Sequence, residues 1–124
     1  MSRIILIVED SEACAETLQI ALESMHGMEA RSVSGVQAAL AVMADHNNDV
    51  AAVVTDFHMQ KQDGLELIGQ LRHDPRYLDL PVLMVSGDSD PRLPQRALDN
   101  GANAFFAKPY SPAAVRRTLE KMLC

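Results

Sequence analysis

Three stretches of this 124-residue chain are apolar and β-branched almost without interruption: Arg3 to Val8 (RIILIV), Val50 to Thr55 (VAAVVT) and Pro81 to Val85 (PVLMV). A strand exposed on one face alternates apolar with polar residues, and these runs do not, so each belongs in a parallel sheet covered on both faces. Such a sheet needs a helix after each strand, and stretches of helical period follow all three. Each run also ends in residues that carry chemistry: Glu9-Asp10 after the first, Asp56 after the second, Ser86-Gly87 after the third.

Ser11 stands at a helix N-cap position, and Cys14, Leu18, Ala21, Leu22 and Met25 recur at helical spacing, which predicts a helix over 12–25 stopped by Gly27. Met28 to Val33 alternates and reads as a weaker edge strand. Ser34 and Gln37 have capping-box spacing around Val36, Leu40 and Met43, predicting a helix over 35–46. Asp63 and Glu66 repeat that spacing around Leu65, Ile68 and Leu71, and Asp74-Pro75 ends this third helix. Asp90-Pro91 starts a fourth, kept short by Pro94, which a helix tolerates only in its first turn, and closed by Gly101. Ala102 to Ala107 is a fifth strand, ending at Lys108-Pro109. Ser111-Pro112 then opens a last helix with Val115, Leu119 and Met122 on its core face. The expected fold is α/β: one doubly wound (βα)5 domain over residues 1–124, with a flavodoxin-like parallel sheet in the order 2-1-3-4-5. That order sets the ends of strands 1 and 3 side by side.

The net charge of -6 conceals an asymmetry: residues 1–90 hold 15 acidic and 5 basic side chains, residues 91–124 hold 2 and 6, giving -10 and +4. So acidic a chain is ill suited to nucleic acid, which is bound through phosphate contacts, while its basic C-terminal part suits an acidic partner. No apolar run approaches the roughly 20 residues that span a bilayer. The first residues, MSRIILIVED, meet acids instead of a small-residue cleavage site, so the expected location is the cytoplasm. Cys14 and Cys124 lie far apart without metal-ligand spacing and read as incidental thiols.

On the expected topology Glu9, Asp10, Asp56, Ser86 and Lys108 share one rim. Crowded carboxylates repel, so each needs a cation or a proton, and hard oxygen donors of this kind suit Mg²⁺. A lysine, a hydroxyl and a glycine that leaves room for an incoming group complete what phosphoryl transfer requires. Helix-dipole stabilisation accounts for one or two acids near a helix start, less easily for an adjacent pair at a buried strand's end.

VED at 8–10, DFHM at 56–59, DGLELI at 63–68, SG at 86–87 and GANAFFAKPY at 101–110 together resemble the receiver domain of two-component response regulators, across essentially the whole chain. The resemblance implies that Asp56 accepts a phosphoryl group from the phosphohistidine of a histidine kinase or phosphotransfer protein. It implies that Asp10 binds Mg²⁺ directly, Glu9 through water, and His58 through its backbone carbonyl. Ser86 and Lys108 would contact phosphoryl oxygens, and Phe105 would report the state to the face of helix 4, strand 5 and helix 5. Arg92, Arg96, Arg116 and Arg117 on those helices then suggest a docking face for an acidic segment of an output partner, with Tyr110 either a docking residue or a loop cover. His58 and Asp88 occupy positions that in the family tune hydrolysis of the phosphoryl group. Where family members often carry a proline, Gln60 stands here, which suggests a looser loop.

Three rival readings fare worse. A haloacid dehalogenase-like phosphatase needs an acid two positions after the nucleophile, where this chain has His58. A flavodoxin needs a hydroxyl- and glycine-rich phosphate loop after strand 1, and Glu9-Asp10-Ser11-Glu12 would repel phosphate. A pseudo-receiver serving only as an interaction module usually lacks a key residue, and all are present.

Overall fold

The strands form where expected, and the computed structural model, which describes residues 3–123, sets all five in one parallel sheet. They are β1 (Arg3–Val8), β2 (Met28–Val33), β3 (Val50–Asp56), β4 (Val82–Ser86) and β5 (Ala104–Ala107), in the order β2-β1-β3-β4-β5. The helices are α1 (Glu12–Glu23), α2 (Val36–Ala44), α3 (Gly64–Arg72), α4 (Leu93–Asp99) and α5 (Pro112–Leu123). Cys124 lies outside the described residues.

The alternating direction of side chains along a strand divides the core in two. Leu6, Val8, Val53, Val82 and Met84 meet Val36, Met43, Ile68, Leu71 and Leu93 from α2, α3 and α4. Ile5, Ile7, Val54, Leu83 and Val85 meet Leu18, Leu22, Val115 and Leu119 from α1 and α5. β1, β3 and β4 have helices on both faces, which is why they read as unbroken apolar runs. β2 is an edge, as its alternation predicts.

Several boundaries depart from expectation. α1 stops at Glu23, and the buried Met25 packs from the following turn, before Gly27 at φ +75°. Of the apolar positions expected on the core face of α1, Leu18 and Leu22 are buried, Cys14 and Ala21 only partly, and Ala15 joins them. The capping box of Ser34 and Gln37 does not form. Extended Gly35 takes the N-cap position, so Ser34 falls one residue too early, and the Gln37 amide turns away to Gln62. By contrast Asp63 and Glu66 form both bonds of their box. α3 ends at Arg72 with His73 as its C-cap, and Asp74 caps a 3-10 turn that the sequence reading did not include, Pro75–Tyr77, whose Tyr77 hydroxyl donates to the Met43 carbonyl at 2.9 Å. α4 starts at Leu93, with Pro94 in its first turn. Met122, expected in the core, is exposed at the end of α5.

Candidate functional site

β1 and β3 run side by side with Val8 opposite Thr55, so the next residue of each strand, Glu9 and Asp56, emerges at the same height. β4 continues the rim with Ser86, and Lys108 follows β5, its N–H donating to the Ser86 carbonyl at 2.8 Å. The parallel register thus gathers side chains separated by as many as 99 positions: Lys108 Nζ lies 2.9 Å from Glu9 Oε1 and 3.2 Å from Asp56 Oδ2. Glu9, Asp56 and Ser86 are buried, whereas Asp10 is exposed.

One carboxylate oxygen from each of Glu9, Asp10 and Asp56 lies within 4.8 Å of the others. One lysine cannot neutralise three acids, and Glu9 shows the deficit: its Oε2 is buried with no hydrogen-bond partner among the described residues. Burial pushes the Glu9 carboxyl up to about 7, the hydrogen-bonded Asp56 carboxyl adds to this, and Lys108 opposes it. Burial also disfavours the Lys108 charge, but its hydrogen bond to Glu9 and the Asp56 and Glu9 carboxylates outweigh that, holding the ammonium above the ordinary lysine range. An unpartnered buried oxygen beside two further carboxylates fits a hard divalent cation, which would relieve both the repulsion and the unmet acceptor.

Asp56 is fixed from below. Its Oδ1 accepts from the Phe57 N–H at 2.7 Å, and its carbonyl oxygen accepts from Thr55 Oγ1 at 2.8 Å. Gly64 packs so tightly against that carbonyl that a Cβ would stand 2.3 Å from the oxygen. In the sequence Gly64 stands out only as part of DGLELI at 63–68; the close approach explains why no side chain fits. In the loop between, Lys61 adopts φ +70° and Gln62 ties the turn to α2 through Gln37 at 2.6 Å, so Gln60 stands in a fastened loop.

The His58 ring is exposed and bonds Asp88 Oδ2 at 2.6 Å, outside the acidic cluster. Ser86 Oγ accepts from the Asp88 N–H at 3.0 Å. A Cβ on Gly87 would touch only the Lys108 stem, at 3.6 and 3.8 Å. Phe105 is half-buried against the α2-α3-α4 side and Phe106 against the α1-α5 side.

The basic residues divide. Arg96 and Arg117 are exposed and, among the described residues, stand in no ion pair. Arg92 pairs with Asp90, while Arg116 turns toward α1, donating to Ser24 Oγ at 3.2 Å and pairing with Glu120. Tyr110 is half-buried, lining a groove of about 550 Å³ with Cys14, Thr17 and Lys108. No helix among the described residues is long and apolar enough to cross a membrane.

The fold recurs in known proteins. The chain is 31% identical over 115 residues to the two-component response regulator ORR13 of Oryza sativa subsp. japonica, covering 93% of each. It is 28% identical to a chemotaxis protein CheY homolog of Campylobacter jejuni subsp. jejuni, over 96% of this chain and 91% of that one. A solved putative response regulator from Chloroflexus aurantiacus superposes with a TM-score of 0.88 at 28% identity, covering 99% and 98% of the two chains. Residues 5–120 match the model of the response regulator receiver domain, and with the sheet order, the acidic rim and the lysine all in place, the chain belongs to that family.

Proposed function

We propose that this receiver domain accepts a phosphoryl group on Asp56 from the phosphohistidine of a histidine kinase or phosphotransfer protein. The observation that carries this reading is the Asp56 carboxylate, held by the Phe57 N–H on one oxygen and by Lys108 on the other, beside two further acids. An Asp56 oxygen attacks phosphorus in line; the new P–O bond forms as the P–N bond breaks, and the imidazole leaves with the electron pair. The Lys108 ammonium, already within 3.2 Å of Asp56, balances charge gathering on the phosphoryl oxygens.

The acid set fits Mg²⁺. Asp10 and Asp56 would hold the ion directly, the His58 backbone carbonyl would complete the protein contacts, and Glu9 would act through water. Bound there, the ion supplies charge neutralisation at the transferring oxygens. Ser86 donates its hydroxyl to the phosphoryl group, and Phe105 carries the change to the face of α4, β5 and α5, where Arg96 and Arg117 offer an acidic output partner their unpaired charge. This is a signalling domain that assists its own phosphorylation and dephosphorylation, and its place is the cytoplasm.

Intact-mass analysis after acetyl phosphate and Mg²⁺ tests the reading. One phosphoryl adduct is expected, absent from Asp56→Asn; an adduct that persists in that variant places the acceptor elsewhere.

A further inference from the structure

From Ser86 the chain reads SGDSDPR into α4, with a short oxygen-bearing side chain at every second position: Ser86, Asp88, Asp90. Each accepts a hydrogen bond from the backbone N–H two residues further on. The Asp88 N–H donates to Ser86 Oγ at 3.0 Å, the Asp90 N–H to Asp88 Oδ1 at 2.7 Å, and the Arg92 N–H to Asp90 Oδ1 at 2.9 Å. Side-chain turns of this kind are common singly. Three in series form a continuous track from a buried hydroxyl beside Asp56 to the residue that begins α4.

The far end of the track has few other holds. Pro91 and Pro94 have no N–H, and Arg92 as N-cap contributes no capping bond from its side chain. The two amides at the start of α4 both end on Asp90: Arg92 N–H on its carboxylate, Leu93 N–H on its carbonyl at 3.1 Å. Beyond that, the helix buries only Leu93 and Ala97. The prolines thus leave the hydrogen bonds at the start of α4 to Asp90 alone among the described residues. Midway, the other carboxylate oxygen of Asp88 meets His58 Nε2 at 2.6 Å, bracing the track against the loop after β3.

We propose that Asp88 and Asp90 are positioning residues that relay the orientation of the Ser86 hydroxyl to the N-terminus of α4. The proposal rests on the reading that Ser86 turns toward a phosphoryl group on Asp56. When it turns, Oγ leaves the Asp88 N–H, the first turn opens, and the register of the next two, hence of Arg92 and Leu93, is released.

The test follows backbone amide resonances of the whole chain, as wild type, Ser86→Ala, Asp90→Ala and Asp90→Asn, each with and without Mg²⁺ and beryllofluoride. Without beryllofluoride, Ser86→Ala and Asp90→Ala are expected to move the Arg92, Leu93 and Gln95 amides in the direction that beryllofluoride moves them in wild type. Asp90→Asn, which keeps the Oδ1 acceptor and loses only the charge, should leave them in place, whereas a role in folding or in net charge gives no such rescue. Asp90→Ala should still take up beryllofluoride within about two-fold of wild-type affinity, with little further movement of α4. A full wild-type response of α4 in Asp90→Ala, or resting α4 amides untouched in Ser86→Ala, overturns the relay. Should wild type take up no beryllofluoride, the phosphoacceptor reading fails, and the relay is judged by whether Ser86→Ala and Asp90→Ala move the same resting amides.

Discussion

Glu9 has a buried oxygen without a partner and a carboxyl pushed up to about 7, chiefly by burial. The sign of its effect on stability follows. An acid whose folded value lies above its unfolded value binds more protons when folded, so the metal-free domain loses stability as pH rises from the ordinary glutamate range through about 7. Denaturant melts in EDTA at pH 5 and pH 8 should show the decline, Mg²⁺ should recover stability at pH 8, and its binding below about pH 7, where Glu9 still holds its proton, should release protons. Glu9→Gln should flatten the profile; a profile unchanged by that substitution assigns the pH dependence elsewhere. In the same cluster, Asp10→Ala should weaken Mg²⁺ binding more than Glu9→Ala, because Asp10 is exposed while Glu9 Oε1 is committed to Lys108. On the proposed mechanism Ser86→Ala should still take up phosphate, since Asp56 would supply the nucleophile and the lysine and a metal most of the neutralisation. The strand-end residues themselves are legible from the sequence, because a buried apolar run that stops in a carboxylate, hydroxyl or ammonium marks a rim. Their pairings are not: the bond from Lys108 to Glu9 spans 99 positions and exists only once β5 and β1 lie in one sheet.

Among the elements, α3 illustrates how local and tertiary constraints meet at one turn. Asp63 caps the helix with both bonds of its box, so Asp63→Ala should cost about 1 kcal/mol in a denaturant titration. Gly64, one residue on, answers to a different element: its Cα faces the Asp56 carbonyl, and the Cβ of Gly64→Ala would collide with backbone at 2.3 Å. That variant should lose roughly 1–3 kcal/mol and, unlike Asp63→Ala, should also slow phosphoryl uptake by displacing Asp56. Equal rates in the two variants would separate the helix start from the site. Capping is readable where side chain and backbone agree, as at Asp63. It misleads at Ser34, where extended Gly35 takes the cap position for itself. The turn at Pro75–Tyr77 went unforeseen because its anchor, the Tyr77 hydroxyl on the end of α2, lies 34 positions away.

Across the whole molecule, the basic excess of residues 91–124 is divided by ion pairing. Among the described residues Lys108 pairs with the acidic rim, Arg92 with Asp90 and Arg116 with Glu120, while Arg96, Arg117 and Lys121 are exposed and in no ion pair. Affinity for an acidic partner of this face should fall with ionic strength and with Arg117→Glu, while Arg116→Ala should chiefly lower stability; a partner indifferent to salt and to Arg117 docks on another face. By itself the sequence determined the alternation of strands and helices, the edge position of β2 and the identity of the rim residues, because hydrophobic period and strand-end chemistry are local properties. Only the tertiary structure decided which acids meet the lysine, which arginines stay out of ion pairs and how the Ser86 hydroxyl bonds toward α4, because each depends on atoms brought together by parallel pairing or by a turn whose hydrogen bonds no residue type announces alone.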